Sequence, residues 1–166
     1  TDPNYKLTGG PGGKDASGRA SPFGEKGYTL TSQYNESRPD EIHKGIDLVP
    51  TGGPSNATLY PPVGGKVVYV GDAGGYGKAV YVDIGNGLQM RLGHMSAFSD
   101  IKVGQTITTD TPLGNMGSTG RSTGPHLHLE LRQGDASAVG NSGTTPIDPR
   151  GLLPNIPIVG SSLTNL

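Results

Sequence analysis

The sequence predicts an all-β domain, and three observations lead to that prediction. The 166 residues include 29 glycines and 14 prolines, whereas only 31% of the residues are hydrophobic. Such a composition is typical of short strands joined by many turns rather than of long helices. The apolar residues occur in short runs, several of which alternate with polar residues at the period of two that a strand requires. A tight-turn signal, Gly85-Asn86-Gly87, joins two of these runs and predicts a hairpin between antiparallel strands.

The first part of the chain divides into an arm and two extended segments. Residues 1–28 are rich in glycine and offer little to bury, so we expect a flexible arm or linker, attached to another module or laid over the domain. Leu30 to Arg38 predicts a first short strand. In the segment from Glu41 to Val49, Gly45 and the apolar residues after it favour an extended chain.

The rest of the chain predicts further short strands separated by turns. The predicted strands are Val67 to Val70, Ala79 to Ile84, Leu88 to Met95 and the stretch that starts at His126. Val103 to Ile107 and Pro112 to Met116 are predicted as short strands or turns. Gly74 to Gly77 is a predicted turn, and Thr144 to Pro154 forms a turn-rich ending. We therefore expect the domain to span residues 29–154, with a C-terminal tail at residues 155–166.

One stretch concentrates the polar side chains that can carry chemistry. After a loop of Gly, Ser and Thr from Gly117 to Pro125, His126, His128 and Glu130 alternate with three leucines. The two histidines therefore point to the same side of a strand, about 7 Å apart. Two imidazoles on one face of a rigid strand suit metal binding or proton transfer, although such a pair also occurs as ordinary strand residues. Glu130 could orient a metal ligand or could be a solvated carboxylate.

The chain has four histidines and no cysteine, which excludes thiol catalysis, disulfides and zinc sites built on thiolates. His43 and Asp47 are four residues apart, which puts both on one side of a helix or on one face of an extended chain. Catalytic zinc commonly takes three protein ligands, and His43, Asp47 and one later histidine would supply that set. The two that remain among His94, His126 and His128 would handle protons beside the metal.

Composition also excludes several classes of partner. The formal net charge of -1 predicts no broad electrostatic attraction to nucleic acid or to an anionic membrane. No stretch is long and apolar enough to cross a membrane. The absence of tryptophan and the low aromatic content of 5% argue against a carbohydrate-binding β-domain.

The chain begins at Thr1 without a leader, so we expect that a leader was removed or that the chain is a piece of a longer protein.

Several segments together resemble one known family. His43-Lys44-Gly45-Ile46-Asp47 resembles a His-x-Gly-x-Asp motif, and His126-Leu127-His128 resembles a His-x-His motif. Both motifs are found in the lysostaphin-type zinc metallopeptidases of family M23, which cut bacterial cell-wall peptides. The loop from Gly117 to Pro125 and the segment from Gly93 to Ser96 are also similar to segments of that family. The resemblance covers about Leu30 to Pro149.

The resemblance implies roles that residue spacing does not give. It implies that His43, Asp47 and His128 bind one zinc ion per chain. It also implies that His94 and His126 are catalytic residues that stand beside the metal without binding it. The implied fold is a compact antiparallel β-sheet or sandwich core with long loops around a metal groove. The implied function is a zinc metalloendopeptidase that cuts peptidoglycan peptides outside the cytoplasm, as a secreted, wall-associated or virion-associated protein.

Two alternatives concern context and activity. The domain could be a module of, or a fusion within, a larger cell-wall-penetrating assembly, for example a phage tail component. It could also be a non-catalytic wall-binding or activator domain, against which the complete set of five site residues argues.

Leu92 and Asn35 stand where the family often has an aromatic residue and a glycine, but these departures leave the ligand set intact. Glycine bridges and stem-peptide cross-links both remain open as substrates.

Overall fold

A computed structural model describes residues 12–38, 41–53 and 55–153 of the chain. Within them the regular structure consists of strands and three short 3₁₀ helices, which confirms the all-β prediction. The strands are β1 (Tyr28–Ser32), β2 (Ile46–Pro50), β3 (Thr58–Leu59), β4 (Gly65–Asp72), β5 (Lys78–Gly85), β6 (Leu88–Phe98), β7 (Thr106–Ile107), β8 (Gly114–Met116), β9 (Leu127–Gly134) and β10 (Thr144–Ile147). The 3₁₀ helices are Gly24–Lys26, Gly74–Tyr76 and Pro149–Leu152. In this part of the chain no helix has the length and hydropathy needed to cross a membrane.

The strands form a ten-stranded antiparallel sheet with β9 near its centre. The main order is β1-β2-β9-β6-β5-β4-β7. In addition, β10 pairs with β9, and β8 pairs with both β3 and β6. The predicted hairpin at Gly85 to Gly87 is the connection between β5 and β6. Because β9 lies between β2 and β6, the histidine strand is flanked by the strand that carries Asp47 and the strand that carries His94.

One face of the central strands forms the hydrophobic core. The alternating leucines of β9, Leu127, Leu129 and Leu131, are buried in it, together with apolar residues of β2, β5 and β6. The opposite face of the same strands is polar, yet Arg91 and Glu130 are also almost fully buried there. Loops therefore cover this second face, and its polar side chains need partners inside the protein.

Residues 12–27, part of the segment for which an arm or linker was expected, lie against the domain. Phe23 joins the hydrophobic core with 3% of its surface exposed. The backbone N–H of Tyr60 donates to the carbonyl of Pro22 over 2.8 Å. One aromatic side chain and a few backbone hydrogen bonds dock this segment, and glycine content alone does not predict such docking.

The remaining parts of the two predicted terminal segments, residues 1–11 and residues 155–166, lie outside the described residues. The ending predicted as turn-rich contains the short strand β10 as well as the 3₁₀ helix at Pro149–Leu152. β10 forms because it extends the pairing of β9 beyond the end of β2, with Ile147 opposite Leu131.

Strand β6 contains an extra residue next to His94. Residues 78–80 of β5 pair with residues 92–95 of β6, so β6 has one more residue than its partner. Such a bulge turns the following side chain to the other face of the strand. As a result Leu92 and Met95 both reach the core, and His94 points to the polar face with a left-handed φ of 63°. Beyond His94, β6 exchanges β9 for β8 as its partner.

Candidate metal centre

Three buried side chains converge where β2 pairs with β9. Asp47 in β2 lies directly opposite His128 in β9, and His43 precedes β2 by three residues. His43 Nε2 lies 3.1 Å from Asp47 Oδ1 and 3.4 Å from His128 Nδ1. His128 Nδ1 lies 3.3 Å from Asp47 Oδ1. The antiparallel register thus brings together two side chains from the first motif and one from the last.

Hydrogen bonds on the far side of each ring fix which nitrogen faces the others. His43 Nδ1 donates to the carbonyl of Gln33 over 2.8 Å, and His128 Nε2 donates to Glu130 Oε1 over 2.8 Å. A carbonyl and a carboxylate can only accept, so these nitrogens carry the protons. In the neutral rings, His43 Nε2 and His128 Nδ1 then present lone pairs to each other and to Asp47 Oδ1. Three acceptors this close repel one another unless a proton or a metal cation lies between them.

The geometry and chemistry of this set fit zinc. Ligand atoms about 2.1 Å from a tetrahedral zinc ion lie about 3.4 Å from one another. The three separations between His43, Asp47 and His128 are 3.1, 3.3 and 3.4 Å. Among the described residues, these three are the group of His and acidic side chains whose ligand atoms lie within 4.8 Å of one another. Two imidazoles and one carboxylate leave one coordination position for water or substrate.

Asp47 and His128 shift each other's pKa values. Although burial raises the pKa of Asp47, hydrogen bonds with His128 and His43 hold it well below its usual range. Arg38 Nη2 donates to the other carboxylate oxygen of Asp47 over 3.0 Å. Although burial lowers the pKa of His128, hydrogen bonds with Asp47 and Glu130 raise it to about 9. Without a metal, His128 is therefore protonated on both ring nitrogens at neutral pH.

His94 lies beside the three converging side chains but outside their group. Its Nδ1 donates to the carbonyl of Thr119 over 2.7 Å, which leaves Nε2 as the unprotonated nitrogen. The centroid of its ring lies 4.7 Å from that of His126 and 5.8 Å from that of His128. Burial lowers the pKa of His94 to about 4, so the ring is neutral at neutral pH.

His126 is held in a similar way. Its Nδ1 donates to the carbonyl of Gly124 over 2.8 Å, and its Nε2 lies 3.5 Å from Asp47 Oδ1. Unlike the other three histidines it is partly exposed, with 17% of its side chain accessible. Each of His94 and His126 thus has one nitrogen anchored to a backbone carbonyl and the other available for proton exchange.

The loop before the histidine strand is docked on the turn at Gly74 to Gly77. The backbone N–H of Arg121 donates to the carbonyl of Gly75 over 2.8 Å. A Cβ atom at Gly77 would lie 2.4 Å from the carbonyl oxygen of Thr119, so only glycine allows this approach. The docking fixes the position of the Thr119 carbonyl, which orients the ring of His94. Ser122 Oγ donates to the carbonyl of Gly124, which supports a turn-forming role for this part of the loop.

The polar face of the sheet shows the environment of Glu130 and adds Tyr76 and Arg132, two candidates that the sequence analysis missed. Glu130 is 1% exposed, so it is not a solvated carboxylate. Its Oε2 accepts a hydrogen bond from Tyr76 Oη over 2.7 Å and another from Arg132. Although burial raises the pKa of Glu130, its contacts with His128, Tyr76 and Arg132 lower it to about 2. The alternation of Gln89 and Arg91 with apolar residues in β6 is the sequence signal for this face.

A cleft of about 400 Å³ opens over these residues. Its lining includes His43, His94 and His128, the side chain of Tyr76, and the cationic residues Arg38 and Arg121. The centre is therefore accessible from solvent on one side, although each of the three histidines in the lining is mostly buried.

Comparison with known proteins shows similarity over most of the described domain. The family model of Peptidase family M23 matches residues 41–149, a segment that contains all four histidines and Asp47. The DD-carboxypeptidase/endopeptidase Mpg of Neisseria meningitidis serogroup B is 37% identical over 114 residues. That alignment covers 68% of this chain but 24% of Mpg, so the chain spans about a quarter of the length of that relative.

Solved structures have the same fold. The catalytic domain of a mutant of the prophage-encoded M23 protein EnpA from Enterococcus faecalis aligns with a TM-score of 0.64 and 29% identity, over 78% of this chain and 94% of that one. A zinc-containing peptidase from Vibrio cholerae aligns with a TM-score of 0.55 and 28% identity, over 66% of this chain and 36% of that one.

Proposed function

This chain belongs to peptidase family M23, and from that premise we propose that it is a zinc metalloendopeptidase that hydrolyses peptide cross-links of bacterial peptidoglycan. His43, Asp47 and His128 would hold one zinc ion per chain. His94 and His126 would exchange protons beside it.

One observation carries the proposal: three buried atoms that can bind a metal face one another at the spacing of zinc ligands. His43 Nε2, Asp47 Oδ1 and His128 Nδ1 are 3.1 to 3.4 Å apart, and the ring protons are committed elsewhere. A cation is the group that this arrangement accommodates, and the donor set is that of catalytic zinc in many hydrolases. The zinc content reported for the Vibrio cholerae structure agrees with this choice of metal.

A zinc ion held there supplies Lewis-acid activation of a water molecule and of the scissile carbonyl. The chain's own residues set the conditions for that chemistry. Arg38 neutralises the outer oxygen of Asp47, and Glu130 keeps the proton of His128 on Nε2. Both contacts leave Asp47 Oδ1 and His128 Nδ1 directed at the ion.

His94 and His126 can each accept a proton at Nε2 because Nδ1 already donates to a backbone carbonyl. Neither neutral ring can donate a proton towards the cleft. One ring must therefore take up a proton before it can donate a hydrogen bond to a developing oxyanion or a proton to a leaving amine. We assign proton uptake from the attacking water, and its later return to the leaving amine, to this pair of histidines.

The proposed substrate is the peptide part of peptidoglycan. The relatives that match this chain include a DD-carboxypeptidase/endopeptidase and the peptidoglycan DD-endopeptidase ShyA of Vibrio cholerae, which is 37% identical over 90 residues. These names favour stem-peptide cross-links over glycine bridges. Because peptidoglycan lies outside the cytoplasm, we place the action of the domain there, alone or as a module of a larger wall-penetrating assembly.

The direct test is digestion of purified peptidoglycans by the wild-type protein. One peptidoglycan should contain direct stem-peptide cross-links and another should contain glycine bridges, with the released fragments identified by mass spectrometry. The proposal expects new amino termini at the stem-peptide cross-links, loss of activity with a chelator, and recovery with zinc. Zinc binding without any cleavage would instead support a non-catalytic wall-binding domain.

A further inference from the structure

Arg91 is a fully buried cation on the polar face of β6. It lies directly opposite Glu130 in the pairing of β6 with β9, but the hydroxyl of Tyr76 mediates between them. Arg91 Nη1 donates to Tyr76 Oη over 3.2 Å, and Tyr76 Oη donates to Glu130 Oε2 over 2.7 Å. Since Glu130 Oε1 accepts from His128 Nε2, an unbroken set of hydrogen bonds runs from Arg91 to His128.

The same guanidinium group holds the loop between β9 and β10. Arg91 Nη1 also donates to Asn141 Oδ1 over 2.8 Å, and Nη2 donates to the carbonyl of Gly140. Arg132 of β9 reaches the same loop, with Nη2 3.3 Å from the carbonyl oxygen of Asn141. Asn141 is exposed and lines the cleft. One nitrogen of Arg91 therefore joins a cleft residue to the hydroxyl that holds Glu130.

Glu130 is restrained at both oxygens by these contacts. A carboxylate bonded at one oxygen could rotate and let the imidazole of His128 turn with it. With Oε2 held by Tyr76 and Arg132, Oε1 has a fixed position from which to orient His128. The ring of Tyr76 also lies next to the ring of His128, tilted by 54° with the centroids 5.7 Å apart.

We propose that Tyr76, Arg91 and Asn141 are positioning residues, which connect the loop at residues 135–143 to the metal centre by fixing Glu130 and thereby His128. The proposal rests on the proposed function, because it assumes that His128 binds the ion. It assigns to Asn141, an exposed residue of the cleft, an effect on metal affinity that acts through hydrogen bonds rather than through contact with the ion.

The first test replaces one hydroxyl. Tyr76→Phe should weaken zinc binding about tenfold in a chelator competition, and should shift the absorption spectrum of the cobalt-substituted protein. Tyr69→Phe is the matched control, because Tyr69 packs on Tyr81 as Tyr76 does but is not bonded to Glu130. A Tyr76→Phe protein with lowered thermal stability but unchanged zinc affinity and cobalt spectrum would overturn the proposal.

The second test uses Asn141, whose exposure makes its substitution compatible with folding. Asn141→Ala should weaken zinc binding about fivefold, as expected for the loss of one hydrogen bond. The double variant with Tyr76→Phe should bind zinc as Tyr76→Phe alone does, because the side chain of Asn141 reaches Glu130 through Arg91 and the hydroxyl of Tyr76. Strictly additive effects, or no effect of Asn141→Ala, would overturn the proposal. If the wild-type protein binds no zinc, the proposed function itself fails.

Discussion

Asp47 and His128 are 81 residues apart in the chain, yet they face each other across β2 and β9 with Asp47 Oδ1 3.3 Å from His128 Nδ1. The pairing explains the glycine between His43 and Asp47. A Cβ atom at Gly45 would lie 2.4 Å from the carbonyl oxygen of Leu129 and 2.9 Å from Cε1 of His128. The two motifs therefore approach each other so closely that only glycine fits at position 45.

We predict that Gly45→Ala weakens zinc binding and lowers the free energy of unfolding by about 1–3 kcal/mol, because the added methyl group displaces β9 or the ring of His128. Chelator competition and urea unfolding measure the two effects. Gly151→Ala is the matched control, since a Cβ atom at Gly151 meets no atom within 4 Å. Wild-type zinc affinity in Gly45→Ala would contradict the close packing described for this residue.

The left-handed backbone of His94 leads to a second prediction. Every substitution of His94 should lower turnover by about 10²-fold, because a proton-exchanging group is lost. His94→Val should in addition be less stable than His94→Asn or His94→Gly by about 1–2 kcal/mol, since a β-branched residue is strained at a φ of 63°. Urea unfolding of the three variants separates the backbone effect from the effect on catalysis. Equal stability of all three would show that the bulge is not strained.

The pKa of His128 leads to a prediction about pH. Because hydrogen bonds raise that pKa to about 9, His128 is protonated in the metal-free protein at pH 7 to 8, and zinc must displace the proton. Zinc affinity should therefore rise about tenfold for each unit of pH in this range. Titration calorimetry in buffers of different ionisation enthalpy should find about one proton released per ion from His128. Affinity that does not change between pH 7 and 8 would contradict this account.

The docked segment at residues 12–27 gives a prediction about stability. Phe23→Ala should lower the free energy of unfolding by about 3–5 kcal/mol, because it empties a position in the core. Val103→Ala, at a residue that is 63% exposed, is the control and should change stability little. If Phe23→Ala behaves like the control in urea unfolding, Phe23 does not dock residues 12–27 on the core.

The strand pattern could be predicted because period two is a local property. The alternation in β9 predicted a strand whose leucines share one face, and that face is buried in the core. The turn residues correctly indicated the hairpin between β5 and β6. Asn35, which stands where the family often has glycine, has a φ of 65°, and asparagine is among the residues that tolerate this conformation.

Other features depend on contacts between distant segments and were not predictable from local pattern. The bulge that turns His94 to the polar face places one extra residue of β6 opposite β5, and the local residue pattern does not mark its position. The links from Arg91 to Tyr76 and Asn141 join residues of three separate segments. Docking of Phe23 likewise depends on a core whose shape is set by the rest of the chain.

The central claim is that His43, Asp47 and His128, and not His94 or His126, hold one zinc ion. The most direct measurement is the zinc content of the purified wild-type protein, His128→Ala, His126→Ala and His94→Ala, determined by mass spectrometry after removal of loosely bound metal. We expect one zinc ion per chain in the wild type and in the His126 and His94 variants, and almost none in His128→Ala. Zinc retained by His128→Ala but lost from His126→Ala would contradict the assignment, as would a wild-type protein without zinc.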